Sequence, residues 1–274
     1  MACLPREFIA RYGIGIVPIS ILFRDKAYRD WIDISPSEAY ELFLQDPDRF
    51  STSPASPSYY FEAYQQASQV AKNILCVTLS SKLSTGYNVA RVAQERAKDE
   101  LPGTSINVLD SQTVTAAEGF IALAAARAAA DGKTLAEVTK VAEETRDIVS
   151  WVIVLDTVRH IYRTGRVPKI AAQAASMLSI KPILSSSAGF VRFAGAARNM
   201  KHGTSRILQI MKTKVRQSPV HVAVMHAFAP DAAEKLRELV ASEFNCIELW
   251  VTELSPVMGY ATGTGALGLA FYKD

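Results

Sequence analysis

The chain has 274 residues, 49% hydrophobic and 21% charged, a composition that excludes a disordered polymer and leaves room for two cores. Lys and Arg number 30 against 27 Asp and Glu, a net charge of +3, with no basic run interleaved with aromatics, so no nucleic-acid partner is expected. The sparse Cys3, Cys76 and Cys246 read as a reducing cytoplasm. His160, His202, His221 and His226 stand at no metal-ligand spacing, so no metal is expected.

In chain order, Ile14–Phe23 is β-rich, and Ser35-Pro36-Ser37-Glu38 opens a short helix with Ser35 as N-cap and Pro36 at the first helical position. Ser56-Pro57 repeats the signal before an amphipathic helix over Tyr59–Lys72. Strand Ile74–Leu79, helix Tyr87–Leu101, strand Ile106–Leu109 and helix Ala116–Ala130 follow. That last helix is too short to span a membrane and is interrupted by Glu118 and Arg127, so no stable membrane insertion is expected. Thr134 and Glu137 form a capping box opening a helix to about Ile148, and Val152–Leu155 is the next strand. This alternation predicts a mainly parallel, Rossmann-like α/β domain over residues 1–150.

From 151 to 274 the pattern changes. Ile180–Leu184 and Phe190–Phe193 flank a Ser-rich turn ending at Gly189, a hairpin signal. Helix Gly203–Val215, strand Val220–Met225, helix Asp231–Ser242, strand Ile247–Glu253 and strand Leu267–Tyr272 complete an α+β layer domain, expected as a two-layer sandwich.

Two segments are rich in hydroxyls where strands should hand over to helices: Ser51–Pro57 and Ser80–Tyr87. Free backbone N–H groups and small hydroxyls at a helix start form an anion site without a cation. Ser56 reads as a plain cap, whereas Thr52 with Ser84 reads as the anion site. Asp110-Ser111 is a further candidate for the rim, with an ordinary cap an equal reading. Thr262–Gly268 spells G-x-G-x-x-G, but the chain reaches Asp274 with no acidic partner some 20 residues on, so the dinucleotide reading is rejected.

These segments resemble, in order, the motifs of DegV-like fatty-acid-binding proteins. Ser51–Pro57 is similar to T-S-x-P-S-P, Ser80–Tyr87 to S-S-x-L-S-G-T-Y, Thr164–Val167 to G-G-R-I, Met177–Leu184 to L-L-x-I-K-P-I-L and Ala196–Arg198 to k-v-R. Leu109–Ser111 and Thr262–Gly268 match the central D-S and the closing glycine-rich run. The resemblance implies a fatty acid held between two domains, its carboxylate on Thr52 and Ser84, with Ser53, Thr85, Tyr260 and Thr262 in support. It implies a carrier without a cofactor, not an enzyme, which presents the carboxylate to a partner fatty acid kinase for phospholipid metabolism. Arg166 and Arg198 then serve kinase docking and phosphate chemistry. Three positions depart from the pattern. Only Leu4-Pro5 matches the end of the family's opening strand, Thr85-Gly86 reverses the usual Gly-Thr, and Ala261 stands where a histidine is usual. The alternative reading is a serine hydrolase or phosphotransferase using Ser84 or Ser111 with His160 or His226. A third is a carrier of another apolar acid, such as a retinoid or polyisoprenoid acid.

Overall fold

The computed structural model describes residues 2–161, 165 and 180–274. Helix α1 (Arg6–Tyr12) is followed by the antiparallel hairpin β1 (Ser20–Phe23) and β2 (Lys26–Arg29). Helix α2 (Pro36–Gln45) begins with Ser35 as N-cap and Pro36 at the first helical position, as the sequence predicts, and Glu38 completes a capping box. Strand β3 (Phe50–Ser53) then pairs antiparallel with β1, placing Thr52 opposite Ile21. Of the β-rich stretch Ile14–Phe23, only the last four residues form a strand.

Helix α3 (Pro57–Ser68), β4 (Asn73–Thr78), α4 (Gly86–Glu100), β5 (Ser105–Asp110), α5 (Thr115–Ala130) and α6 (Leu135–Ile148) form the α/β part. Strands β4 and β5 are parallel, with Cys76 opposite Val108. The next strand, β6 (Ser150–Val154), does not join them. It pairs antiparallel with strands from the second half of the chain, on the far side of the boundary expected near residue 150, although strand–helix alternation alone would have continued the parallel sheet. Local pattern cannot tell which neighbour an apolar strand will choose.

The second sheet is mixed and has six strands in the order β10-β9-β11-β6-β7-β8. Its members after β6 are β7 (Lys181–Ser187), β8 (Phe190–Ala197), β9 (Val220–His226), β10 (Cys246–Glu253) and β11 (Leu267–Lys273). Helices α7 (Met200–Val215) and α8 (Pro230–Glu243) cover one face. Strand alternation decides who packs where. Val152, Val154, Val222, Val224, Leu267 and Leu269 cluster with Ile207, Met211 and Leu236 of those helices. Trp151, Ile153, Ala223, Met225 and Ala270 face the other way, into a core shared with Leu4, Tyr40, Val114 and Phe120 of the first half. The fold is therefore α/β in layers, a parallel pair with its helices set against a two-layer sheet-and-helix unit.

An ion cluster fastens α5 to the edge of that sheet. Arg127 Nη2 lies 2.6 Å from Glu248 Oε2 on β10, and His221 Nδ1 lies 2.7 Å from Glu248 Oε1. The His221 ring stacks on Tyr272 at 4.3 Å. Burial pushes the Glu248 carboxyl up, but hydrogen bonds from His221 and Arg127 outweigh it and hold the group below its ordinary range. Short α9 (Pro256–Thr262), absent from the sequence reading, returns the chain to α2 and β3.

Candidate functional site

A cavity lies between the two layers, and the centre of a water molecule can range over about 150 Å³ of it. Its floor is the inward face of the six-stranded sheet: Trp151 and Ile153 of β6, Leu184 of β7, Val191 of β8 and Met225 of β9. Leu79, Leu83, Val257 and Met258 add apolar wall. Apart from the Trp151 indole, its polar side chains all carry hydroxyls: Thr52, Ser53, Ser84, Thr115, Tyr260 and Thr262.

Each hydroxyl has a local cause. Thr52 and Ser53 end β3, where the chain leaves the sheet for Pro54. Ser84 sits in the turn after β4. Its main-chain N–H donates to the Ser80 carbonyl at 3.1 Å, and its Oγ accepts the Gly86 N–H at 3.2 Å. That arrangement leaves the Ser84 proton to be donated elsewhere. Asp110 Oδ1 accepts from the Ser81 and Gln112 N–H groups at 3.1 and 2.9 Å, so the carboxylate ending β5 shapes the hydroxyl loop of β4. At Gly86 the fit is close, since a Cβ there would lie 3.1 Å from the Tyr60 hydroxyl. Thr115 holds φ of +62°, a left-handed conformation that is rare for a β-branched residue and a mark of functional sites.

Helix α4 starts two residues after Ser84, and α5 starts at Thr115 itself. Two helix N-termini thus open at this cavity, and their dipoles favour an anion there. Beneath them, Glu118 in the first turn of α5 is 6% exposed, and burial pushes its carboxyl up to about 7. Burial likewise raises the Tyr60 phenol.

The sequence candidates divide as follows. Thr52, Ser53, Ser84, Tyr260 and Thr262 all meet at the cavity, with Ala261 beside them. Thr262 Oγ1 lies 3.1 Å from the carbonyls of Met258 and Gly263. Thr85 is not part of the lining; it occupies the N-cap position of α4 and makes no side-chain cap bond. Ser56 caps α3 by accepting the Tyr59 N–H, as its plain reading expected. Arg198 is exposed just beyond β8 and outside the lining, and Arg166 lies outside the described residues. Sequence reasoning missed Thr115, although Thr113-Val114-Thr115 before a helix carries the same hydroxyl signal as the other two loops. It also missed the floor, whose residues look like any alternating strand.

The DegV family model, described as "Uncharacterised protein, DegV family", matches residues 1–274. The chain belongs to the DegV family. A DegV domain-containing protein of Clostridium perfringens is 28% identical over 275 residues, covering 100% of this chain and 96% of that protein. One from Streptomyces coelicolor is 30% identical over 270 residues, covering 98% and 94%. Among solved structures, a DegV family protein from Thermus thermophilus, whose structure describes fatty acid binding, superposes with a TM-score of 0.90 at 28% identity, covering 100% of this chain and 96% of that one. DegV of Bacillus subtilis, a fatty acid binding protein, superposes at 0.89 with 25% identity and the same coverage.

The hydrolase alternative finds little geometry in its favour. Ser111 is fully buried, donates to the Thr113 carbonyl at 3.2 Å and is not part of the cavity lining. His226 Nδ1 accepts the Ala229 N–H, and the His160 ring packs edge-on to Phe43. Neither histidine is among the described lining residues beside Ser84. Among the described residues no group of three His, Cys, Asp or Glu side chains could hold a metal, and no helix is long and apolar enough to cross a membrane.

Proposed function

We propose that this DegV family member binds one long-chain fatty acid in the cavity, with the carboxylate at the hydroxyl end and the acyl chain along the sheet floor. The observation that carries the reading is the division of one cavity into a hydroxyl rim at two helix N-termini and a continuous apolar floor. A sixteen-carbon chain has about fifteen methylene and methyl groups, each contributing roughly 0.8 kcal/mol on burial, or on the order of 12 kcal/mol before the cost of association. With that drive, the rim has only to orient the head. Thr52 and Ser84 are the groups we assign to the carboxylate, supported by Ser53, Tyr260 and Thr262. The fatty acid binding of the Thermus thermophilus and Bacillus subtilis proteins supports the same ligand class here.

The protein acts on this reading as a cytoplasmic carrier rather than a catalyst, with a division into domains at residues 1–150 and 151–274. A partner fatty acid kinase then supplies the chemistry, approaching exposed Arg198, whose planar guanidinium suits phosphate oxygens. Arg166 is assigned the same role from its motif alone.

Binding titrations with palmitate and its methyl ester test the head-group assignment. A hydrogen bond to a charged group is worth about 1.5–3 kcal/mol, so Thr52→Val and Ser84→Ala should each weaken the acid about ten- to a hundredfold and spare the ester. Equal losses for acid and ester would show a collapsed wall instead. For the kinase, Arg198→Ala should leave palmitate affinity unchanged and slow phosphorylation by a cognate kinase at least tenfold; an unchanged rate removes Arg198 from that role.

A further inference from the structure

Next to the cavity, the two halves of the chain touch through a hairpin tip. The turn of the β7–β8 hairpin, Ala188 and Gly189, has φ of +50° and +82°. It rests on the hydroxyl loop after β4. Ser80, fully buried, donates from Oγ to the Gly189 carbonyl at 2.7 Å, while the same oxygen accepts the Lys82 N–H at 3.2 Å. A Cβ on Gly189 would lie 2.9 Å from Ser80 Oγ and 3.2 Å from Lys82 Cγ, so the approach is close enough to need glycine. Lys82 Nζ sits 6.0 Å from the centre of the Phe190 ring. On either side of this contact the same elements line the cavity, Leu83 and Ser84 from the loop, Leu184 and Val191 from the hairpin.

The opposite edge of the sheet is anchored differently. There, Arg127 of α5 makes its bidentate pair with Glu248 of β10, at the far end of the order β10-β9-β11-β6-β7-β8. Five strand spacings separate the two edges, roughly 24 Å at about 4.8 Å each. Both edges reach the shared apolar core, through Trp250 of β10 at one and Leu184 and Val191 of the hairpin at the other; among the described residues it is the polar fastening that differs, a bidentate charged pair at one edge and a hairpin tip with one side-chain hydrogen bond and a cation over a ring at the other.

We propose that the β7–β8 hairpin tip is a latch on the Ser80–Lys82 loop, and that its release opens the cavity for the ligand to enter and leave. This rests on the carrier reading. Ser80 closes the latch and holds no ligand. The hairpin turn hinges away with the strands behind it, leaving the β10 edge fixed.

Stopped-flow exchange of a fluorescent long-chain fatty acid against excess oleate tests the latch. Ser80→Ala should speed release about five- to tenfold, the worth of one buried hydrogen bond. Gly189→Ala should act in the same direction, because its Cβ would lie 2.9 Å from Ser80 Oγ and force the hairpin turn off the loop. Release at the wild-type rate from either variant would overturn the latch while leaving the carrier reading intact. A wild-type protein that takes up no fatty acid at all would overturn the carrier reading and the latch with it.

Discussion

The rim and the floor of the cavity are built by opposite means. The rim comes mainly from loops of the first half, joined by Tyr260 and Thr262 of α9; in those loops Ser84 is fixed by bonds to Ser80 and Gly86, and Asp110 shapes the turn above it. The floor comes from strands of the second half, where Trp151, Ile153, Leu184 and Met225 are placed by sheet register alone. The difference teaches that the rim selects and the floor retains. A polar group must be aimed to a few tenths of an ångström, whereas apolar surface contributes in proportion to its area and in no particular direction.

The largest way to break that comparison is to put a charge on the apolar wall. Met258→Asp leaves an unpaired carboxylate beside the acyl chain and should weaken palmitate and its methyl ester alike, by at least about a hundredfold. Calorimetric titration of both ligands, with circular dichroism as a control for folding, checks it. Loss confined to the acid would mean that Met258 belongs to the rim.

Next comes Glu118, buried beneath the rim. Its folded carboxyl stands at about 7 against an ordinary 4.5, so the folded state holds the proton more tightly. The stability this contributes is fully present below pH 4.5 and is lost as pH rises through about 7. The loss is on the order of 2–3 kcal/mol. Glu118→Gln keeps the neutral shape at every pH, so its advantage in urea melts over the wild type should grow from pH 5 to pH 8. A gap that stays flat or shrinks contradicts the burial argument.

The smallest effect sharpens the rim itself. Thr85 neighbours Ser84 but is not part of the lining and makes no cap bond, so Thr85→Ala should change palmitate affinity less than about twofold and stability within about 0.5 kcal/mol. A loss matching that of Ser84→Ala would put Thr85 in the rim after all.

Much of this was legible in the sequence, unevenly. Helix starts at Ser35, Ser56 and Thr134 were readable because a cap is a local bond between residues three apart, and all three form. Thr52 and Ser84 stood out because hydroxyls cluster around them beyond what capping needs. Strand β6 was legible as a strand, but its neighbours were not, since pairing is settled by long-range packing that no window of sequence contains. Strand β3 and helix α9 were missed because each is short and takes its stability from its partners, Ile21 across from Thr52 and the α2 helix against α9. The Gly189–Ser80 contact spans 109 residues and leaves no local trace.

The central claim is that the cavity holds a fatty acid, and native mass spectrometry of the purified protein, followed by organic extraction of the denatured sample, tests it most directly. We predict one long-chain fatty acid per chain, or stoichiometric uptake of added palmitate or oleate by any empty fraction. A protein that emerges empty and refuses both acids would contradict the account.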